Sequence, residues 1–230
     1  MDSQRSLLTS LLSACLVSTL ALALLFIRYM RLSSPQYFFL TWNLFLAGLP
    51  LVFAILAYLN RHGGIRFALA LALWLLFFPN APYLITDLMH IQHSAVAIMW
   101  FDTLMIFAFV LAGILLGFLS LALMQRIVEG KWGQITGWLF ALAALLTGSF
   151  GVYVGRFLRW NSWDVFVSPL GLLRDVTGII LNPGEEIHFV GAALLLNVIL
   201  TLAYVALFPP DLSRLEGYWR IGQGREKIAS

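Results

Sequence analysis

Six long stretches of this chain, 7–27, 37–59, 67–85, 103–123, 132–154 and 187–208, contain no Lys, Arg, Asp or Glu. A helix rises about 1.5 Å per residue, so about 20 apolar residues cross a hydrocarbon core of roughly 30 Å with their backbone groups paired inside the segment. All 14 Lys and Arg and all 11 Asp and Glu fall in the connections and termini. Charged residues make up 11% of the chain, against about 25% in an average soluble protein, which excludes a water-soluble domain and a disordered one. Cys15 is the single cysteine, so a disulfide scaffold is excluded as well. No basic stripe suited to nucleic acid is present. The predicted fold class is all-α: a polytopic transmembrane helix bundle of about six spans in a single membrane domain, 1–230, with the lipid bilayer as its first partner. No span repeats another, so no internal duplication is expected.

Leu12, Ser13, Ala14 and Cys15 mimic a lipoprotein processing box, but the apolar run continues for twelve residues past Cys15, so the first span is expected to be retained. Orientation follows from Lys and Arg, which collect on the cytoplasmic side. With six spans, nine of them (Arg5, Arg61, Arg66, Arg126, Lys131, Arg214, Arg220, Arg225 and Lys227) share one side and five (Arg28, Arg31, Arg156, Arg159 and Arg174) the other. Both termini, including a tail at 209–230, are therefore predicted to be cytoplasmic. The connections 86–102 and 155–186 are then external, and Leu170, Leu173, Val176 and Ile180 predict a short interfacial helix within 165–181. Asn182, Pro183 and Gly184 are read as the turn into the last span, which Glu185 and Glu186 open.

Two polar strings stand at span ends on the predicted external side. The first is Phe78-Pro79-Asn80-Ala81-Pro82-Tyr83. Only 12 residues, about 18 Å of helix, separate Phe67 from Phe78, so the proline break is expected inside the membrane. Two prolines push Phe78 and Ala81 away from helical geometry and orphan carbonyls around Asn80, which must be covered by protein or by a wet cavity. Discontinuous helices of this kind line transporter binding sites, whereas the bland alternative is a proline-kinked helix end repaired by a neighbour. The second string runs Gly155-Arg156-Phe157-Leu158-Arg159-Trp160-Asn161-Ser162-Trp163-Asp164. If the fifth helix continues through it, Arg156 stacks on Trp160 and Arg159 on Trp163, which would suit a phosphate, carboxylate or lipid headgroup. The competing reading is an interfacial belt of Trp and snorkelling Arg, with Asp164 neutralising one arginine.

Asp87, His90 and His93 recur at every third residue and form a weak candidate metal set, for which a solvated loop is the simpler account. Asp102 has an ordinary explanation at a helix start. Asn43, His188 and Asn197 within spans read as interhelical hydrogen-bonding groups. Gly113 with Gly117, and Gly151 with Gly155, let helices approach closely, and the second pair leads directly into Arg156. No phosphate loop, zinc motif, nucleophile elbow, voltage-sensor helix or potassium-pore signature is present, and no cofactor is implied.

Both strings, together with Thr86-Asp87 and Trp100-Phe101-Asp102, resemble the bacterial integral membrane family classified as domain of unknown function 1361. The resemblance runs from about the second span to the last. It implies a polytopic bacterial membrane protein and carries no reaction with it.

The expected ligand-binding set is Asn80, Asp87, Asp102, Arg156, Arg159, Trp160, Asn161, Trp163 and Asp164, gathered at the external face around a small polar or anionic ligand or a lipid headgroup. One alternative is a membrane enzyme acting on a lipid-linked substrate, with Asp87 or His90 as base and the arginines holding phosphate. Another is a non-catalytic assembly protein. Substrate, energy coupling and oligomeric state do not follow from the sequence.

Overall fold

A computed structural model describes residues 2–181 and 187–210, and side chains over 9–92, 94–178 and 190–210. The turn 182–184, Glu185 and Glu186, the tail beyond Pro210 and the side chains of His93 and His188 lie outside the described residues. Among the described residues, six helical stretches are long and apolar enough to cross a membrane: Thr9–Leu32, Phe39–Leu59, Ile65–Gln92, Val96–Trp132, Gln134–Arg156 and Val190–Leu207. The chain is a multi-pass, all-α membrane protein.

The first span, α1 (Asp2–Leu32), buries Ala14, Ala21, Leu25 and Arg28 along one seam and leaves Leu12, Leu16, Leu20 and Phe26 exposed, as a helix facing protein on one side and lipid on the other requires. Hydroxyls within spans return their hydrogen to the preceding turn: Ser18 Oγ donates to Ala14 O at 2.8 Å and Thr147 Oγ1 to Ala143 O at 3.0 Å. A polar group is thereby satisfied where no water is at hand. Helix α2 (Phe39–Leu59) leads through Gly63 and Gly64 into α3 (Ile65–Phe77). After α3 come a single turn, α4 (Asn80–Tyr83), and a 3₁₀ segment, Leu84–His93. The central helix is α5 (Met99–Trp132), which packs against α1, α2, α4 and α6 (Gln134–Arg156). Gly133, at φ +88°, alone turns the chain between α5 and α6. Short α7 (Asp164–Val167) and α8 (Pro169–Leu181) follow, and α9 (Ile187–Leu207) packs on α6.

Helix α8 occupies the stretch expected to be interfacial, with Leu170 and Leu173 exposed. The proline break is milder than its sequence suggests. Phe78 stays helical at φ −53° and ψ −39°, and Ala81 lies within α4. Replacement bonds keep the turn closed: Ala81 N donates to Phe78 O at 3.2 Å and Tyr83 N to Pro79 O at 3.1 Å. The third span therefore continues through the prolines to Gln92 rather than ending short.

Candidate functional site

The proline corner is held by glycines on both sides. A Cβ on Gly113 of α5 would lie 2.8 Å from Ala81 O, and one on Gly117 would lie 2.7 Å from Ala81 Cβ. From α6, a Cβ on Gly151 would meet Pro79 Cγ at 2.5 Å, and one on Gly148 the Phe78 ring at 2.8 Å. Both glycine pairs noted in the sequence thus face the broken third span; Gly113, Gly117 and Gly151 leave a slot with no room for a Cβ, while Gly155 stands at ordinary contact distance from the Tyr83 ring.

Two carbonyls near the break take side-chain donors. Asn80 Nδ2 donates to Phe77 O at 2.9 Å and to Ser162 Oγ at 3.0 Å, while Ser162 Oγ lies 3.2 Å from Leu76 O. The two polar strings, 82 residues apart at this contact, therefore meet, and the Asn80–Ser162 bond joins them. Beside it lies a cavity of about 110 Å³, lined by Asn43, Asn80, Tyr83, Trp160, Asn161 and Trp163 among others. With about 30 Å³ of liquid volume per water, that is room for a solute the bulk of three or four water molecules.

The lining offers both acceptors and donors, the latter including the Tyr83 hydroxyl and the indole N–H groups of Trp42 and Trp163. Both Asn80 amide hydrogens are used within the protein. Asn43 Nδ2 donates to Asp87 Oδ2 at 2.8 Å, Asn161 Nδ2 to Asp164 Oδ2 at 3.2 Å, and Trp160 Nε1 to Asp175 Oδ2 at 3.0 Å. No described residue donates to Asn43 Oδ1 or Asn80 Oδ1, and neither oxygen is sealed from the surface. Asn80 therefore retains only acceptor capacity, whereas Asn43 keeps its carbonyl oxygen and one amide hydrogen.

Behind Asn43 lies Asp87, only 1% exposed. Its Oδ1 has no hydrogen-bond partner and sits 3.9 Å from His90 Nδ1 and 4.0 Å from Arg156 Nη1. Asp87 belongs to a packed 3₁₀ segment, not the solvated loop that its polar neighbours suggest, because the helical path continues through the prolines. His90 Nδ1 also lies 3.3 Å from Asp87 O. Among the described residues no group of three metal-ligand types forms.

Asp102 has a larger task than starting a helix. It is fully buried and takes two bonds from Arg28, from Nε at 2.7 Å and from Nη2 at 3.2 Å, and a third from Ser94 Oγ at 2.8 Å. The Arg28 guanidinium lies 4.4 Å from the centroid of the Tyr37 ring, and Tyr37 Oη bonds Ser94 Oγ at 2.7 Å. This clamp ties α1 to α5 and stands apart from the cavity lining. Sequence reasoning used Arg28 only as an orientation charge. The available signal was two opposite charges ending the first and fourth spans on one predicted side.

The arginine string folds differently from the continuous helix it suggests. Helix α6 ends at Arg156, and the chain reverses through Arg159 at φ +60°, with Trp160 N donating to Val154 O at 3.3 Å. The described cation–π contacts involve Arg28, Arg61 and Lys131, so the Arg156–Trp160 and Arg159–Trp163 stacks do not form. Arg156 turns back toward Asp87, whereas Arg159 is exposed and outside the cavity lining. Asp164 neutralises neither arginine. Its Oδ2 takes Asn161 N at 2.6 Å and so closes the turn that carries Ser162. The structure thus brings Asn80, Trp160, Asn161 and Trp163 together at the cavity, sets Asp87 and Arg156 behind it, and leaves Arg159 and Asp102 elsewhere.

No curated protein and no solved structure matches the chain. A family model described as "Protein of unknown function (DUF1361)" matches residues 42–209, which runs from within α2 through α9 and includes the glycine slot, the proline corner and both polar strings. The chain belongs to that family.

Proposed function

We propose that this protein binds a small, uncharged, hydroxyl-bearing solute in the cavity between the proline corner and the 160–163 turn. The observation that carries the reading is the pair of Asn43 and Asn80 carbonyl oxygens at the cavity, neither of which takes a donor from a described residue. A ligand hydroxyl can donate to them and accept in turn from a Tyr83 hydroxyl or a Trp42 or Trp163 indole N–H, groups that share the lining. The anionic ligand expected from the arginines has less support, because Arg156 faces Asp87 and Arg159 is outside the lining. The family resemblance suggests a bacterial cytoplasmic membrane, and the positive-inside count supports both termini inside and the cavity outside.

Saturation-transfer NMR on the protein in nanodiscs, with glycerol as probe, tests this reading. Asn80→Leu and Trp163→Ala should abolish the glycerol signal while Arg159→Ala preserves it. Binding of inorganic phosphate that is lost in Arg156→Ala, without any glycerol signal, would refute it.

A second reading has one specific observation behind it. His90 Nδ1 lies 3.9 Å from a buried carboxylate oxygen of Asp87, which suits a membrane enzyme with His90 as base, oriented by Asp87. Turnover of a phosphate-bearing lipid that disappears in His90→Ala would favour it.

A further inference from the structure

At the opposite end of the bundle lies a larger cavity, of about 760 Å³, between α5, α6 and the end of α9. It shares acceptor oxygens and an indole with the smaller one, and its two charged lining residues, Arg126 and Glu129, offset each other. Tyr204 Oη donates to Gln125 Oε1 at 2.6 Å, and Gln125 Nε2 donates to Glu129 Oε1 at 2.8 Å. The relay uses the Tyr204 hydroxyl hydrogen and one of the two Gln125 amide hydrogens and terminates on a carboxylate, a group that only accepts. Trp138 provides an indole wall, its ring 5.9 Å from that of Tyr204. Acceptor oxygens set against indole therefore occur at both ends.

Both cavities lie along the same helix, since Gly151 and Gly155 line one and Gln134 and Trp138 the other. Thirteen residues from Trp138 to Gly151 correspond to about 20 Å of helix. Between them stands an aromatic column: Trp74 packs on Phe78 at 4.8 Å and on Phe140 at 5.6 Å between centroids. Trp74 is fully buried and pinned by its Nε1 to Ser120 Oγ at 3.2 Å. Phe78 immediately precedes Pro79, which lines the smaller cavity.

We propose that the larger cavity is a second binding site for the same class of small neutral hydroxylated solute, and that the Phe78–Trp74–Phe140 column is the closed septum between the two sites. The inference rests on the reading given under Proposed function and extends it from binding to passage. Septum and sites are distinguishable because their residues are separate.

The experiment is stopped-flow light scattering on proteoliposomes under a glycerol gradient. Trp74→Ala should raise glycerol flux about tenfold over the unaltered protein, equivalent to about 1.4 kcal/mol of barrier. Entrapped carboxyfluorescein should stay inside, which separates an opened septum from a torn bundle. Phe140→Ala should act in the same direction and serves if Trp74→Ala fails to fold. In the opened background, Gln125→Leu should return the flux to the unaltered level. Folded Trp74→Ala and Phe140→Ala proteins with unaltered flux, or indifference of the opened flux to Gln125→Leu, would overturn the second site and the septum. In that event a glycerol NMR signal still lost in Asn80→Leu would leave the first site standing. Absence of that signal in the unaltered protein would remove both.

Discussion

Gly151→Ala is a one-methyl perturbation whose consequence can be worked from distances. The new Cβ would stand 2.5 Å from Pro79 Cγ and 2.7 Å from Pro79 Cβ. Carbon atoms rest at about 3.5–4.0 Å, so α6 and the proline corner would have to part by about 1 Å. Pro79 has no rotamer with which to escape, and the neighbouring Phe78 ring is already close against Gly148. Overpacking of this kind costs about 1–3 kcal/mol. Gly48 in α2 is the matched control, since a Cβ there meets nothing within 4 Å. Both substitutions gain the same helix-propensity term of about 0.5–1 kcal/mol, so the difference between them isolates the clash. Unfolding by SDS titration, followed by far-ultraviolet circular dichroism, should place Gly151→Ala below Gly48→Ala by about 1–3 kcal/mol. The glycerol signal should weaken too, because Pro79 carries Asn80 with it. Equal unfolding midpoints for the two variants would show that the glycine slot does not hold the corner.

The Arg28–Asp102 clamp yields a second expectation. Asp102→Leu leaves a guanidinium that is only 3% exposed without its counter-charge, at a cost of about 3–5 kcal/mol in the same titration. Adding Arg28→Met should recover most of the loss, and a double variant as unstable as the single one would refute the pairing. The orientation is checked in a Cys15→Ser background with a membrane-impermeant maleimide on intact cells. Arg159→Cys should label and His62→Cys should not; the reverse pattern would invert the topology.

Much of the bundle could be read along the chain because a bilayer imposes a rule on each segment separately. Backbone groups in lipid must pair locally, so length and apolarity alone mark a span, and the six expected stretches correspond to the six helices. The glycine pairs were legible for a similar local reason, since missing side chains mark close approach whatever the neighbour. Their target was not. Both pairs close on the third span, a fact that depends on α5 and α6 flanking it. The proline string announced a break, but its mildness arises from replacement hydrogen bonds and a tight slot, neither of which is a property of the prolines.

The polar groups mark the boundary more sharply. Residue type and spacing pointed to Asn80, Trp160, Asn161 and Trp163, and all four line one cavity. Arg159 carried equal weight in the sequence, yet one left-handed residue at φ +60° turns it away. Asp102 was assigned an ordinary local role while Arg28, 74 residues earlier, supplied its partner. From the sequence alone came the membrane, the six spans and the two strings, because each follows from chemistry within a helix length. Tertiary structure decided which charges pair, which way Arg156 turns and what the asparagines have left to offer, because a hydrogen bond is settled by distances of about 3 Å between segments that the chain order leaves far apart.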